Sequence, residues 1–358
     1  MPDPIKINTS EITNVAMFTD IHWGARNNSL MHNTDNADYI EWFISKVKQE
    51  NSSHIFFLGD WFENRNSINV LTLQMSYESL KKLNSLNVPI FLMIGNHDLY
   101  GRHNRDVHSI IQFGELSNVT IIDSNVVILN NDFVLCPFLF KDEYAKYGGI
   151  INAAKYVFGH FEFRNFILTG MKTVAEHGPD HSAFSKPKYI FSGHYHTRQI
   201  KDNVVYIGNV FPTNFGDAGD EARGCAFLNT KTEEVYFYDW DQAPCFFKTK
   251  LSDVVEGRWE PRAKARVRCL LDMEITYSEA QVLKEEFVKA FGLREFSIEE
   301  NLTEKKDAVA GAEGGDEELL ENLDLSSLKE TVRGLLETGI NNTTTINTTT
   351  LIQIWNEL

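Results

Sequence analysis

The sequence predicts a layered α/β chain with a small second unit, and three observations support this. Apolar runs of strand length alternate with helix-like segments through the first hundred residues. Strand-rich stretches then carry the pattern to about residue 245. Beyond that point a strictly alternating run, a capped helix and a second short run follow one another.

The elements can be justified in order. "NVAMFTDIH" (14–22), "HIFFLGD" (54–60) and "PIFLMIGNHD" (89–98) read as strands bounded by polar residues. Between them, "NADYIEWFISKVKQEN" and "VLTLQMSYESLKKLNSLN" show the apolar spacing of helices. "KYVFGH" (155–160) and "KYIFSGHYH" (188–196) repeat the strand-then-polar pattern. "NVVILNNDFVLCPFLF", "NVVYIGN" and "EEVYFYDW" add further strands. This defines a first domain, 1–245. In a second, 246–300, "RVRCLLDMEIT" places Val267, Cys269, Leu271, Met273 and Ile275 on one face. "SEAQ" (278–281) is expected to cap a helix that Gly292 ends, and "REFSIEE" to return as a strand. Residues 301–318, with "AGAEGGDEE", read as an acidic, glycine-rich linker. In the tail, 319–358, Leu325, Leu328, Val332, Leu335 and Leu336 recur at helical spacing, and Ile354 and Trp355 lie in the closing "LIQIWNEL". Two short apolar helices cannot make a core alone, so a partner-binding tail is expected, the alternative being a tail that docks back onto the protein.

The chain has 358 residues, 42% of them hydrophobic, and a formal net charge of −16. That charge does not exclude nucleic acid. Between Glu295 and Glu330 there are 12 acids and 3 lysines, so over half of the excess lies in a tenth of the sequence. No apolar run approaches the roughly 20 residues that span a bilayer, and the polar start is unlike a signal peptide. Cys136, Cys225, Cys245 and Cys269 lie far apart and form no C-x-x-C pair. Reduced thiols in a cytoplasmic protein are expected.

The chemistry is expected where the strands stop. Asp20 and His22 form D-x-H, Asp60 follows Gly59, and Asn96, His97 and Asp98 close "GNHD". His160 ends "VFGH", and His194 and His196 form "GHYH". Side chains two apart in an extended segment share a face, so each of the two-apart pairs is expected to aim at one point. Seven oxygen and nitrogen donors, with no sulfur, exceed what one ion of Mn²⁺ size takes from protein. Two divalent cations are therefore expected, Mn²⁺ or Mg²⁺, with Asp60 as the bridging carboxylate holding them about 3.5–4 Å apart. Such a centre attracts phosphate and lowers the pKa of water to give a nucleophile near neutral pH. His97 is expected to turn away from the metal bound by Asn96 and to assist the leaving oxygen, with Asp98 orienting its ring.

In this order, D-x-H, GD, GNHD, GH and GHxH resemble the calcineurin-like metallophosphoesterase superfamily over roughly residues 14–210. The resemblance implies a β-sandwich flanked by helices. It implies one metal on Asp20, His22, Asp60 and His196, and another on Asp60, Asn96, His160 and His194, with His97 catalytic. "GDWFENRNSI", "GNHDLYGRHN", "GHFEFRNFILTGMK" and the run from "FSGHYH" to "DEARG" are similar to the nuclease subunits of SbcCD-type recombination and repair complexes, in their T-even bacteriophage branch. That likeness implies a Mn²⁺-dependent exo- or endonuclease acting on duplex ends or single-stranded DNA. It also implies an SMC-like ATPase bound by the tail and a homodimer pairing through "YIEWFISKV" and "VLTLQMSYESLKKL". If the source is a phage, the location is the host cytoplasm. Arg258, Arg262, Lys264, Arg266 and Arg268 at the cap, with Arg65 and Arg102 beside the motifs, are candidate DNA contacts. One departure is Glu63, standing where cellular relatives carry a histidine. Two other functions compete: a phosphatase or phosphodiesterase of the same superfamily acting on small molecules or phosphoproteins, and an inactive scaffold.

Overall fold

The computed structural model describes residues 4–8, 11–101, 103–168 and 174–300. The linker 301–318, the tail 319–358 with its seven candidate partner residues, and Arg102 lie outside the described residues.

Two large sheets stack. One has six strands, in spatial order Glu234–Asp239, Gly224–Asn229, Asn14–Phe18, His54–Phe57, Ile90–Met93 and Val119–Ile122. Its last four are parallel, the first two connections made by the helices Leu30–Gln49 and Val70–Asn84 and the third by a loop with the short turn Ile111–Glu115, while Gly224–Asn229 runs antiparallel to both neighbours. The other has seven strands: Ile5–Ile7, Val127–Leu129, Phe133–Leu135, Tyr156–Gly159, Tyr189–Ser192, Val204–Tyr206 and Gln199–Lys201.

Strand alternation explains the layering. Val15, Met17, Phe56, Phe91 and Met93 meet Leu135, Phe158, Phe191 and Val205 in a core between the two sheets. Ala16, Phe18, Ile55, Phe57 and Leu92 turn the other way and pack on Tyr39, Phe43, Leu80 and Leu83 of the two helices. On the outer face of the seven-stranded sheet, Val134, Val157, Ile190 and Tyr206 pack on Tyr144, Tyr147 and Ile151 of the helix Glu143–Ala153. Strands buried on both faces read as unbroken apolar runs, which is why the sequence shows no alternation there. The result is the mixed α/β sandwich flanked by helices that the motifs implied.

The helix Glu143–Ala153 carries Gly148 and Gly149 in its middle. A mid-helix glycine costs about 0.5–1 kcal/mol relative to alanine. Nothing lies within 4 Å of a Cβ built on Gly149, and the nearest contact for Gly148 is an ordinary 3.7 Å to Phe184. Packing does not demand either glycine.

A third sheet, Cys245–Lys250, Ala265–Leu271 and Glu295–Glu300, is parallel throughout and packs on the helix Tyr277–Phe291. Val267 and Cys269 are fully buried, as alternation predicts. The strand stops at Leu271, however, and Met273 lies exposed beyond it. The capping box begins two residues before the expected one: Thr276 caps, and Glu279 closes it. Gly292 ends the helix at φ 61°. All four cysteines are buried free thiols. Among the described residues no helix is long and apolar enough to cross a membrane.

A candidate two-metal centre

Every expected ligand sits just past a strand, and at four of the seven the backbone is left-handed rather than extended. Asp20, His22, Asp60 and His194 have φ of 50°, 47°, 61° and 86°. Left-handed residues of this kind are uncommon outside glycine, and such backbone strain concentrates at functional sites. Asp20 and His22 therefore converge through a tight left-handed turn rather than through the pleat that spacing alone suggested. Gly59 and Gly95 allow the close approach. A Cβ on Gly59 would lie 2.4 Å from His160 Nδ1, and one on Gly95 would lie 2.1 Å from Asp60 Oδ1.

The side chains form two sets around one shared atom. His22 Nε2 lies 3.7 Å from Asp20 Oδ1, 3.8 Å from Asp60 Oδ2 and 3.1 Å from His196 Nε2. His196 Nε2 is also 3.7 Å from Asp20 Oδ1. On the other side, His160 Nε2 is 3.3 Å from Asp60 Oδ2 and 3.1 Å from Asn96 Oδ1, which is 3.0 Å from His194 Nδ1. Asp60 Oδ2 thus faces both sets. Its other oxygen is occupied, accepting the His97 backbone N–H at 2.8 Å. An all-nitrogen-and-oxygen donor set sharing one carboxylate suits two divalent cations of the Mn²⁺ or Mg²⁺ type and lacks the thiolates of structural zinc sites.

Neighbouring groups fix the donors in place. His160 Nδ1 donates to the Leu58 carbonyl at 2.8 Å, which leaves the Nε2 lone pair available to a metal. Asp20 accepts from the Thr19 hydroxyl at 2.7 Å and from the His194 backbone N–H at 3.1 Å. Arg223, fully buried, donates to the His196 carbonyl and to Asn209 and pairs with Asp220, bracing the GHYH loop. Glu63 lies with Oε2 2.8 Å from His22 Nδ1. Sequence reasoning assigned no role to Thr19, Arg223 or Glu63. The clearest available signal was Glu63, noted only as a departure.

Electrostatics follow from the burial of two carboxylates. Burial works to raise the Asp20 carboxyl, but the charge of His160 and a hydrogen bond from His22 outweigh it and hold it at about 2. Asp60 is likewise held well below the carboxylate range, burial being overcome mainly by His160. Burial would lower His160, yet Asp60 and Asp20 raise it to about 9. His22 is raised in the same way, by Asp20 and Glu63 against its burial. His194 and His196 stay neutral: burial takes them to about 3 and about 4, helped by the positive charge of His160 and His22 respectively. The pair of acids demands compensating positive charge, which protons or dications can supply.

His97 stands half-buried beside this centre, its ring 5.0 Å from that of His22 and perpendicular to it. Its Nδ1 donates to the Glu63 carbonyl at 2.8 Å. Asp98 does not orient it. The buried Asp98 carboxylate instead accepts the backbone N–H groups of Asp60, Trp61, Phe62 and Gly95 at 3.0, 3.0, 3.2 and 2.9 Å. Acceptors for four amides are needed where two loops cross, and a carboxylate supplies them. This corrects the role expected of Asp98.

The five candidate DNA-contacting residues of the cap are each paired. Arg258 meets Asp253 and Glu256, Arg262 meets Glu221, Lys264 meets Asp38, Arg266 meets Glu295 and Arg268 meets Glu299. They do not make an uncompensated patch. Arg65 lies two residues past Glu63, partly exposed.

Comparison with known proteins agrees with this geometry. Residues 13–198 match the sequence pattern of calcineurin-like phosphoesterases. Over 188 residues the chain is 27% identical to exonuclease subunit 1 of enterobacteria phage T4, a match covering 50% of this chain and 53% of that protein. The chain therefore spans about half the length of the curated relative it matches. Among solved structures, a dimetal phosphatase from Danio rerio aligns over 61% of this chain and 92% of its own, at 11% identity and a TM-score of 0.40. Nuclease MPE from Pseudomonas putida aligns over 62% and 87%, at 12% identity and a TM-score of 0.30. These two likenesses are too low to carry an argument.

Proposed function

The chain belongs to the calcineurin-like phosphoesterase family, and from that premise we propose that it is a Mn²⁺-dependent DNA nuclease hydrolysing phosphodiesters. The observation that carries this is the single oxygen, Asp60 Oδ2, facing two complete donor sets. Similarity to a phage exonuclease subunit supports DNA over other phosphoesters. Two bound dications would neutralise phosphoryl oxygens and make water acidic enough to serve as a nucleophile.

The remaining roles belong to the chain. Asp20, His22, Asp60 and His196 would hold one ion; Asp60, Asn96, His160 and His194 would hold the other. Asn96 binds without adding negative charge, which keeps the centre attractive to phosphate. His97, with Nδ1–H fixed on the Glu63 carbonyl, would as the imidazolium protonate the departing oxygen from Nε2–H, the ring being left neutral. The same reading takes residues 319–358 as the docking tail for an SMC-type ATPase, the chain as a homodimer, and the site of action as the cytoplasm, in DNA repair or recombination. Arg258, Arg262, Lys264 and Arg268 exchange partly exposed carboxylates for DNA phosphates, since surface ion pairs are worth little, whereas Arg266 is buried.

The test is end-labelled duplex and single-stranded DNA incubated with Mn²⁺, Mg²⁺ or EDTA. Cleavage should require metal, and His97→Ala should lose it by about 10²- to 10⁴-fold while binding two metal ions as before. Undiminished cleavage by that variant would remove His97 from the mechanism. Strong preference for phosphomonoesters or phosphoproteins would replace DNA as the substrate.

A further inference from the structure

Beside the His194 edge of the centre, a cavity of about 900 Å³ opens between the helix Glu143–Ala153 and the loops around Phe138 and Glu162. Its walls are aromatic: Phe138 and Phe140, both half-buried, with Tyr144 and Phe184 behind. Phe138 is common to cavity and centre, its ring 6.2 Å from those of both His160 and His194. Glu162 also lies on both, with Oε1 4.0 Å from His194 Nε2.

The two mid-helix glycines line this space. Side chains at 148 and 149 would strengthen the helix and strike nothing tight. What their absence secures is an open wall. The half-buried ring of Phe138, room for a flat group and a carboxylate at one edge suit a planar heterocycle with hydrogen-bonding edges. A base is recognised in this way, by stacking on aromatic faces and by polar contacts to its rim.

We propose that this cavity receives the unstacked nucleobase next to the scissile phosphate, so that the enzyme grips a nucleotide rather than a bare phosphodiester. The inference rests on the nuclease reading above and extends it to where the substrate lies. Glu162 accepts from the base rim, and Phe138 stacks between the base and the metal ligands.

The test uses the full chain with Mn²⁺ and single-stranded oligonucleotides carrying one abasic residue at successive positions. Wild-type protein should cut bonds flanking the abasic residue about 5- to 100-fold more slowly in kcat/KM than in natural DNA, the range that base stacking supplies. Gly149→Trp and Ala145→Trp, both on the cavity wall, should bring natural DNA down to the abasic rate. They should leave abasic cleavage and metal content unchanged. Equal cutting of natural and abasic DNA by wild-type protein overturns the base pocket and leaves the nuclease standing. Trp variants that fold, bind metal and cut natural DNA normally do the same. Metal-loaded wild-type protein that cuts no DNA overturns the nuclease reading, and this inference with it.

Discussion

Asp98→Ala separates two accounts of the GNHD motif. The Asp98 carboxylate is fully buried and accepts four backbone N–H groups, three from the turn containing Asp60 and one from Gly95, with the Ser109 hydroxyl at 3.4 Å. Alanine would leave all four amides without that acceptor. A buried donor stripped of its partner costs about 1–3 kcal/mol, and relaxation or entering water recovers part of the total. We expect a loss of about 3–5 kcal/mol, a large fraction of the 5–15 kcal/mol typical of a native protein. Because these amides set the left-handed turn at Asp60, metal affinity should fall together with stability. Urea unfolding with and without Mn²⁺, alongside calorimetric titration of the ion, measures both. Asp98→Asn keeps one acceptor oxygen and should fall between alanine and wild type. If Asp98→Ala unfolds within about 1 kcal/mol of wild type and binds both ions normally but turns over slowly, the loop-tying account is wrong. Asp98 would then act on His97 after all.

Other tests address single contacts. Glu63→Gln weakens the carboxylate on His22 Nδ1, and metal affinity should drop by about 10- to 100-fold, with Glu63→Asp recovering part of it in the same titration. His54 is wholly buried against Phe91, and burial lowers its pKa to about 4. The unfolded chain, titrating at about 6.5, therefore binds this proton first as pH falls. The stabilisation is complete above about pH 6.5 and is lost as pH drops towards 4, amounting to about 2–3 kcal/mol. His54→Phe should remove that part of the acid dependence, seen as a smaller difference between urea midpoints at pH 7.5 and pH 4.5; an unchanged difference would exclude His54 as its source.

Much of the centre was legible because its motifs occur where apolar runs stop, and a strand end is where a sheet can present ligands. Asp60, for example, follows "HIFFLG" directly, and the structure puts it between the two donor sets. What spacing could not reveal was backbone hand: Asp20 and His22 meet through positive φ, which local composition does not encode. Asp98 was misjudged because a carboxylate beside a histidine invites a pairwise reading, whereas its partners are amides up to 38 residues away. Arg223 was missed for a similar reason, since its contacts to His196 and Asn209 exist only once the loops have folded. In the cap, Cys245–Lys250 was not foreseen as the strand that opens the third sheet, and Thr276 rather than Ser278 caps the helix.

The strand Gly224–Asn229 lies beside Asn14–Phe18, so the segment that leads into Asp20 is clamped by residues made some two hundred positions later. Contacts that distant form slowly, because a long loop must close before they contribute. A polypeptide still emerging from the ribosome has Asp20 and Asp60 in hand but not the histidines at 194 and 196. The donor set in this molecule is therefore complete only after synthesis has passed the point where Gly224–Asn229 can slot in beside the segment that carries Asp20.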